Sequence, residues 1–290
     1  MPQKRDNMIE QAEKVEFFSG LDPEEIRRRR CPEANHYYDL IAESLRKLDS
    51  EVNPLHIEFT DKAALTQEIK DHALRLGASL VGISETNQAY VYKGKQVYER
   101  YAISLAMEMD YDCLATAPSE KAEAEVASVY YELGEITIAL ARHIRGLGYV
   151  ARIHHPSGAG RLLQQPFAIA AGFGELGRNG LVISKEFGPR FRLGCVTTDL
   201  PLLTDKPVKL GVAEYCINCQ VCLRACPTGA IASEPRVVRG VKKYAIDGTK
   251  CRPYTLYNHG CAVCLKACVL NKLSKQKRWL KTPRQEVKIA

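Results

Sequence analysis

Eight of the eleven cysteines fall between Cys216 and Cys268. The first four read Cys216-x2-Cys219-x2-Cys222-x3-Cys226-Pro227. The second four read Cys251-x9-Cys261-x2-Cys264-x3-Cys268. A tight loop with a cysteine at every third residue reaches three irons of one cubane, while the fourth cysteine opens a helix that leads away and ligates the other cluster. That crossover rule assigns Cys216, Cys219, Cys222 and Cys268 to one [4Fe–4S] cluster. It assigns Cys226, Cys251, Cys261 and Cys264 to a second, with Cys251 moved upstream by an insertion. Structural zinc is the alternative metal, but its sites use pairs of C-x2–4-C rather than three ligands in seven residues. Disulfides would need an oxidising compartment. Cys31, Cys113 and Cys195 stand alone.

The rest of the chain must position these clusters and give their electrons a destination. Its 290 residues are 46% apolar and 26% charged, with a net charge of +7, the balance of an ordinary globular protein. No run of 18 apolar residues predicts a membrane span. The N-terminus lacks an apolar signal core. The run Arg27 to Arg30 is followed by CPEANHYYD, which is not the apolar stretch of a twin-arginine signal. The expectation is a cytoplasmic chain. Residues 271–290 carry seven Lys or Arg and one Glu, so most of the positive excess sits in a C-terminal tail. Such a tail is either a solvated end or a guide for an acidic partner.

Four segments are expected: short polar helices over 1–50, a core over 51–205, the cysteine module over 206–270 and the basic tail over 271–290. In the core, Asp61 predicts an N-cap for a helix ending near Leu76 with Gly77 just past it. Strands are expected at 79–84, 101–107, 149–154, 181–184 and 191–200. The longest helix is expected over 119–147, where Val126, Val129, Tyr130, Leu133, Ile136, Leu140, Ile144 and Leu147 form one apolar stripe. Strands alternating with helices suggest an α/β or α+β core. The prolines of 199–208 read as a linker. A two-cluster module needs only about 60 residues, so the 200 residues before it argue for a substrate or cofactor domain wired to the clusters. The Gly-x-Gly-x-x-Gly order at 172–177 lacks a βαβ frame and a downstream acid, so it is not a dinucleotide site.

The segment AGFGELGRNGLVISKEFGPRFRLGCVTTDLPLLTDKPV, 171–208, running into CINCQVCLRACPTGAI, resembles the cobalamin-dependent reductive dehalogenases. More distantly it is similar to the epoxyqueuosine reductases. LAMEMDYDCLATAPS (105–119) and VYYELGEITIALARHIRGLGY (129–149) extend the resemblance over roughly 100–270. It implies a nitroreductase-like α+β core with a ferredoxin-like two-cluster module. That core would hold base-off cobalamin that the clusters reduce, acting on a small-molecule substrate, an organohalide among the candidates. It implies a low-potential donor such as a ferredoxin or flavodoxin. It also implies a tyrosine proton donor, matching Tyr130, and a nearby basic residue, matching Arg192 in Gly188-Pro189-Arg190-Phe191-Arg192; an adjacent guanidinium stabilises the phenolate left after donation. The bland alternatives are a packed core tyrosine and a structural salt bridge. Gly172, Gly174 and Gly177 would let backbone approach the corrin, and Glu175, Arg178 and Asn179 would bond its amides. His154 and His155 read as strand-end polar residues.

The chain departs from that family in lacking a twin-arginine signal and in ending 22 residues after Cys268. The competing readings are an electron carrier without its own substrate, and a tRNA-modifying reductase gripping RNA through the basic tail.

Overall fold

The computed structural model describes residues 22–48, 51–158, 160–238 and 241–275. The basic tail expected at 271–290 lies largely outside the described residues. Helix α1 (Pro23–Arg29) and helix α2 (Pro32–Ser44) come first, each with a proline in its first turn. Helix α3 (Lys62–Arg75) starts where expected: the Asp61 carboxylate accepts from Ala63 N and Ala64 N, both at 2.9 Å, a cap worth about 1 kcal/mol.

A four-stranded antiparallel sheet follows. It contains β1 (Leu80–Glu85), β2 (Tyr101–Glu108), β3 (Ala151–His154) and β6 (Phe191–Thr198), in the order β1-β2-β6-β3. Between β2 and β3 run a short helix α4 (Tyr111–Leu114) and the long helix α5 (Glu120–Gly146). The Ser119 hydroxyl caps α5 at Ala122 N, and Gly148 at φ 90° turns the chain out of it. The apolar stripe of α5 lands on one sheet face. Leu133, Leu140 and Ile144 of α5 and Ile69 of α3 pack against Ile83, Ile103, Leu105 and Val196, all fully buried. Each such side chain contributes about 1.5–3 kcal/mol.

The other sheet face is built from small residues. Ala102, Ala106 and Cys195 pack against helix α6 (Gln164–Ala170) and the loop after it. At Gly82 an added Cβ would lie 2.5 Å from the Ala171 carbonyl, so the close approach needs glycine. A two-stranded ribbon, β4 (Glu175–Leu176) with β5 (Val182–Ile183), follows α6. The proline-rich stretch 199–208 has no regular structure but is firmly held. Asp205 accepts from Lys70 Nζ at 2.7 Å and Ile83 N at 2.8 Å.

The cysteine module contains α7 (Val212–Cys219), α8 (Val221–Ala225), the hairpin β7 (Ile231–Val238) and β8 (Val241–Ile246), then α9 (Gly248–Tyr257), α10 (Val263–Lys266) and α11 (Val269–Lys275). Its halves repeat a local conformation. Gln220 follows Cys219 at φ 51°, and Ala262 follows Cys261 at φ 55°. Each left-handed residue precedes a Val-Cys pair that opens a short helix. Non-glycine residues enter this region at a cost of about 1–2 kcal/mol, so both loops are held by something stronger than local preference.

Candidate iron–sulfur and active sites

The structure gathers the eight cysteines into two groups. Cys216, Cys219 and Cys222 line one cavity together with Cys268 from the far run. In the second group, burial raises the Cys261 thiol, and its close neighbours Cys251 and Cys226 add to that. Cys264 is pushed up to about 12, first by burial and then by Cys261, Cys222, Cys251 and Cys226. Cys268 is also pushed up to about 12 by burial, with Cys216 and Cys222 adding to it. Cys226 goes the other way. Burial opposes its ionisation, but the Thr228 hydroxyl and the N–H groups of Thr228, Ala230 and Ile231 hold its thiolate down. None of the eight is in a disulfide. Four crowded, partly buried thiols ionise together only against a compensating cation, which is the role iron fills.

One donor fits the same conclusion. Asn179 is 7% exposed, and its Nδ2 lies buried without a partner while its side chain lines the cavity of Cys216, Cys219, Cys222 and Cys268. Sulfur at that position would accept the N–H.

The glycine-rich stretch, expected to approach a corrin, is packed closely against protein. Gly172 (φ 85°) and Gly174 (φ 154°) face protein backbone: an added Cβ would lie 2.8 Å from the Lys206 carbonyl and 2.0 Å from that of Ile183. At Gly177 it would meet the Asn179 amide and the Ile183 side chain, both at 2.9 Å. Glu175 accepts from Leu210 N at 3.0 Å and Val212 N at 2.8 Å, fixing the start of α7. Arg178 reaches Cys216 O at 3.1 Å and Ser233 O at 2.7 Å and stacks 3.7 Å over the Tyr244 ring. These residues weld the module to the core. Buried charges need partners, and theirs are main-chain groups far along the chain.

Tyr130 and Arg192 come together as expected. They share the wall of a cavity of ≈ 190 Å³, and the guanidinium carbon sits 4.7 Å from the phenol ring centroid. Arg192 Nε is buried without a hydrogen-bond partner. The cavity holds more than the sequence indicated. His155 lines it, fully buried. His155 Nδ1 sits 2.8 Å from Ser157 Oγ and 3.2 Å from Ser157 N, and among the described residues its buried Nε2 has no hydrogen-bond partner. Its ring rests on Gly134, one helical turn after Tyr130, where an added Cβ would lie 2.0 Å from Nε2. Burial pushes His155 down to about 4. His154 is a different case: it is pushed down to about 3, first by burial and then by Arg152 and Arg161, and it bonds Thr197 Oγ1 at 3.0 Å inside the sheet.

Tyr38 is a second phenol that the sequence did not single out. Burial raises its hydroxyl; Arg30, 4.0 Å over the ring, opposes that, Tyr130 adds to it and Arg192 opposes it. The packing of α2 on α5 brings it there. Asp110 caps α4, its carboxylate accepting from Cys113 N at 2.7 Å.

The two cavities are joined by one short strand. Val182 lines the Tyr130 cavity and Ile183 the cysteine cavity. Successive strand residues point to opposite faces, so β5 is the partition between them.

The 4Fe-4S dicluster domain family matches residues 215–272, which hold all eight cysteines. The tetrachloroethene reductive dehalogenase of Desulfitobacterium hafniense is 31% identical over 260 residues, covering 69% of this chain and 47% of that one. The epoxyqueuosine reductase of Salmonella typhimurium is 28% identical over 230 residues, covering 67% of this chain and 56% of the relative. A solved structure described as a catabolic reductive dehalogenase superposes with a TM-score of 0.77 at 25% identity, covering 84% of this chain and 39% of the other. The class is therefore an α+β chain with a C-terminal 4Fe-4S dicluster domain. The chain is homologous to the reductive dehalogenases and related to epoxyqueuosine reductase. It spans about half the length of the curated relatives it matches. Among the described residues no helix is long and apolar enough to cross a membrane.

Proposed function

We propose that the chain is an iron–sulfur reductase in which two [4Fe–4S] clusters pass electrons to a base-off cobalamin that reduces a small molecule, an organohalide being the first class to try. The observation that carries this reading is the partition by β5: the cysteine cavity lies on one side and the Tyr130–Arg192 cavity on the other. Cobalamin, when bound, supplies a strongly reducing cobalt centre. Arg192 Nε is a buried donor on the cavity wall with no partner among the described residues, and it fits a ligand rich in hydrogen-bond acceptors. Cys216, Cys219, Cys222 and Cys268 hold the cluster facing the core, and Cys226, Cys251, Cys261 and Cys264 hold the other. Tyr130 delivers a proton from its hydroxyl, and Arg192 over the ring stabilises the phenolate that remains. The apolar walls formed by Leu162, Leu181, Val182 and Phe191 keep water from competing for it. A low-potential carrier such as a ferredoxin or flavodoxin feeds the clusters.

The test is turnover of an organohalide panel by the reconstituted protein with a chemical reductant. Tyr130→Phe keeps the ring and removes the proton, so turnover falls by about 10²-fold or more while iron content is unchanged. Turnover by Tyr130→Phe at the wild-type rate would rule out the tyrosine as donor.

A further inference from the structure

Arg178 and Asn179 sit in the turn between β4 and β5, where Gly177 N bonds Leu181 O at 2.8 Å. Both side chains line the cavity of Cys216, Cys219, Cys222 and Cys268. Arg178 is 3% exposed, and its hydrogen bonds go to main-chain carbonyls: Cys216 O from Nε at 3.2 Å and from Nη2 at 3.1 Å, and Ser233 O from Nη1 at 2.7 Å. Among the described residues it forms no ion pair. Its positive charge is thus buried beside Cys216 without an ion-pair partner; the Glu175 carboxylate, which also acts on Cys216, is engaged by Leu210 N and Val212 N. Asn179 is fixed in orientation by its own turn. Leu181 N donates to Asn179 Oδ1 at 3.2 Å, so the other end of the amide is the donor, and that Nδ2 is buried and unpartnered. Buried polar groups are almost always satisfied, and one that is not calls for a specific partner. A cluster held by the four cysteines of this cavity would bring a sulfide to accept that N–H.

Reduction of a [4Fe–4S] cluster adds one negative charge and breaks no bond. A fixed cation and an N–H donor at the cluster's edge favour the reduced state, because both interact more strongly with the added charge. We propose that Arg178 and Asn179 raise the reduction potential of the core-facing cluster, so that an electron delivered by a low-potential carrier settles beside the Tyr130 cavity. The pair are positioning and tuning residues that act through the cluster. This rests on the cluster assignment above, and iron content tests that assignment separately.

The experiment is an anoxic redox titration of the cluster-loaded protein followed by electron paramagnetic resonance, with iron counted in each sample. Arg178→Gln removes the charge, and Asn179→Ala removes the donor. In Arg178→Gln, one of the two cluster signals moves to a more negative potential. At the poise that half-reduces it in the wild type, its reduced-to-oxidised ratio falls about tenfold. Asn179→Ala gives a shift in the same direction of a fewfold, and the other signal stays in place. Arg178→Lys keeps a charge but sets it further from the Cys216 carbonyl, so its shift is intermediate. If Arg178→Gln fails to hold its iron, Arg178→Lys and Asn179→Ala carry the test. Wild-type potentials in variants that retain eight irons would overturn the tuning role and leave Arg178 a strut. Fewer than eight irons in the reconstituted wild type would overturn the cluster assignment itself.

Discussion

At the residue scale, the two adjacent histidines at the end of β3 do different things with the same physics. Both are fully buried and both are kept neutral by burial, His154 at about 3 and His155 at about 4. The unfolded chain takes up these protons near pH 6.5, whereas the folded chain refuses them until pH falls to those lower values. Between the two limits the unfolded state binds more protons, so stability is complete above about pH 6.5 and declines as pH falls. From pH 8 to pH 5 each histidine accounts for about 2 kcal/mol of lost stability. Denaturant midpoints of cluster-loaded protein at the two pH values measure this. His155→Gln should lose about 2 kcal/mol less than the wild type over that interval, and an equal loss would contradict the burial argument.

The same pair shows what residue types reveal. Cysteine spacing is dictated by the dimensions of a cubane, so the ligand groups were legible from the chain alone. His155 was not, because its place in the cavity depends on Gly134 admitting its ring from another element. For Arg178 the resemblance suggests a ligand contact, and the sequence offers no sign of its protein partners. Its actual partners are carbonyls 38 and 55 residues away, which no local pattern encodes.

At the element scale, the strongly periodic elements follow the sequence closely. The helix expected over 119–147 is α5, Glu120–Gly146, and the strand expected at 101–107 is β2, Tyr101–Glu108. The strand expected at 181–184 shrinks to Val182–Ile183 because the turn closed by Asn179 consumes its start. Helix α6 and the β7–β8 hairpin carry no comparable periodicity; their burial comes from what they pack against. The stretch 199–208 lacks regular structure, as expected of a linker, but Asp205 anchors it to α3 and β1.

Arg190 is the joint between core and module at this scale. It is 2% exposed, donates to Met109 O at 3.0 Å and Asn271 Oδ1 at 3.0 Å, and pairs with Glu108. Beside it, Gly188 at φ 58° lets α11 approach, since an added Cβ would lie 2.7 Å from Leu270 O. Arg190→Leu leaves the buried Met109 carbonyl and Asn271 Oδ1 unpaired, at a cost of about 1–3 kcal/mol each, while the half-exposed Glu108 turns to water. Because Cys268 immediately precedes α11, cluster absorbance should be lost at lower denaturant than in the wild type. Coincident loss of cluster and helix signals at the wild-type midpoint would show that Arg190 is not the joint.

At the scale of the whole molecule, one design connects the parts. The sheet and α5 set Tyr130 and Arg192 on one wall of a small cavity, and β5 forms a partition with cysteines behind it. Glu123 of α5 ties the second cysteine group to the N-terminal helices, accepting from Cys31 N at 3.1 Å and meeting His259 Nδ1 at 3.0 Å. The cysteine module is thus tied to the core through α5 as well as through the β4–β5 turn. The resemblance to reductive dehalogenases was readable from residues 100–270 because the cavity wall and the module are contiguous in sequence there. The substrate was not readable, because cavity shape depends on loops from several elements.

The account stands most directly on what the protein binds after anoxic reconstitution with iron, sulfide and cobalamin and removal of free reagents. The ultraviolet–visible spectrum of that sample reports clusters and corrin together. The expected spectrum shows cluster absorbance equivalent to two [4Fe–4S] clusters per chain and a bound corrin in the base-off form. A sample with both clusters and no retained corrin would contradict it.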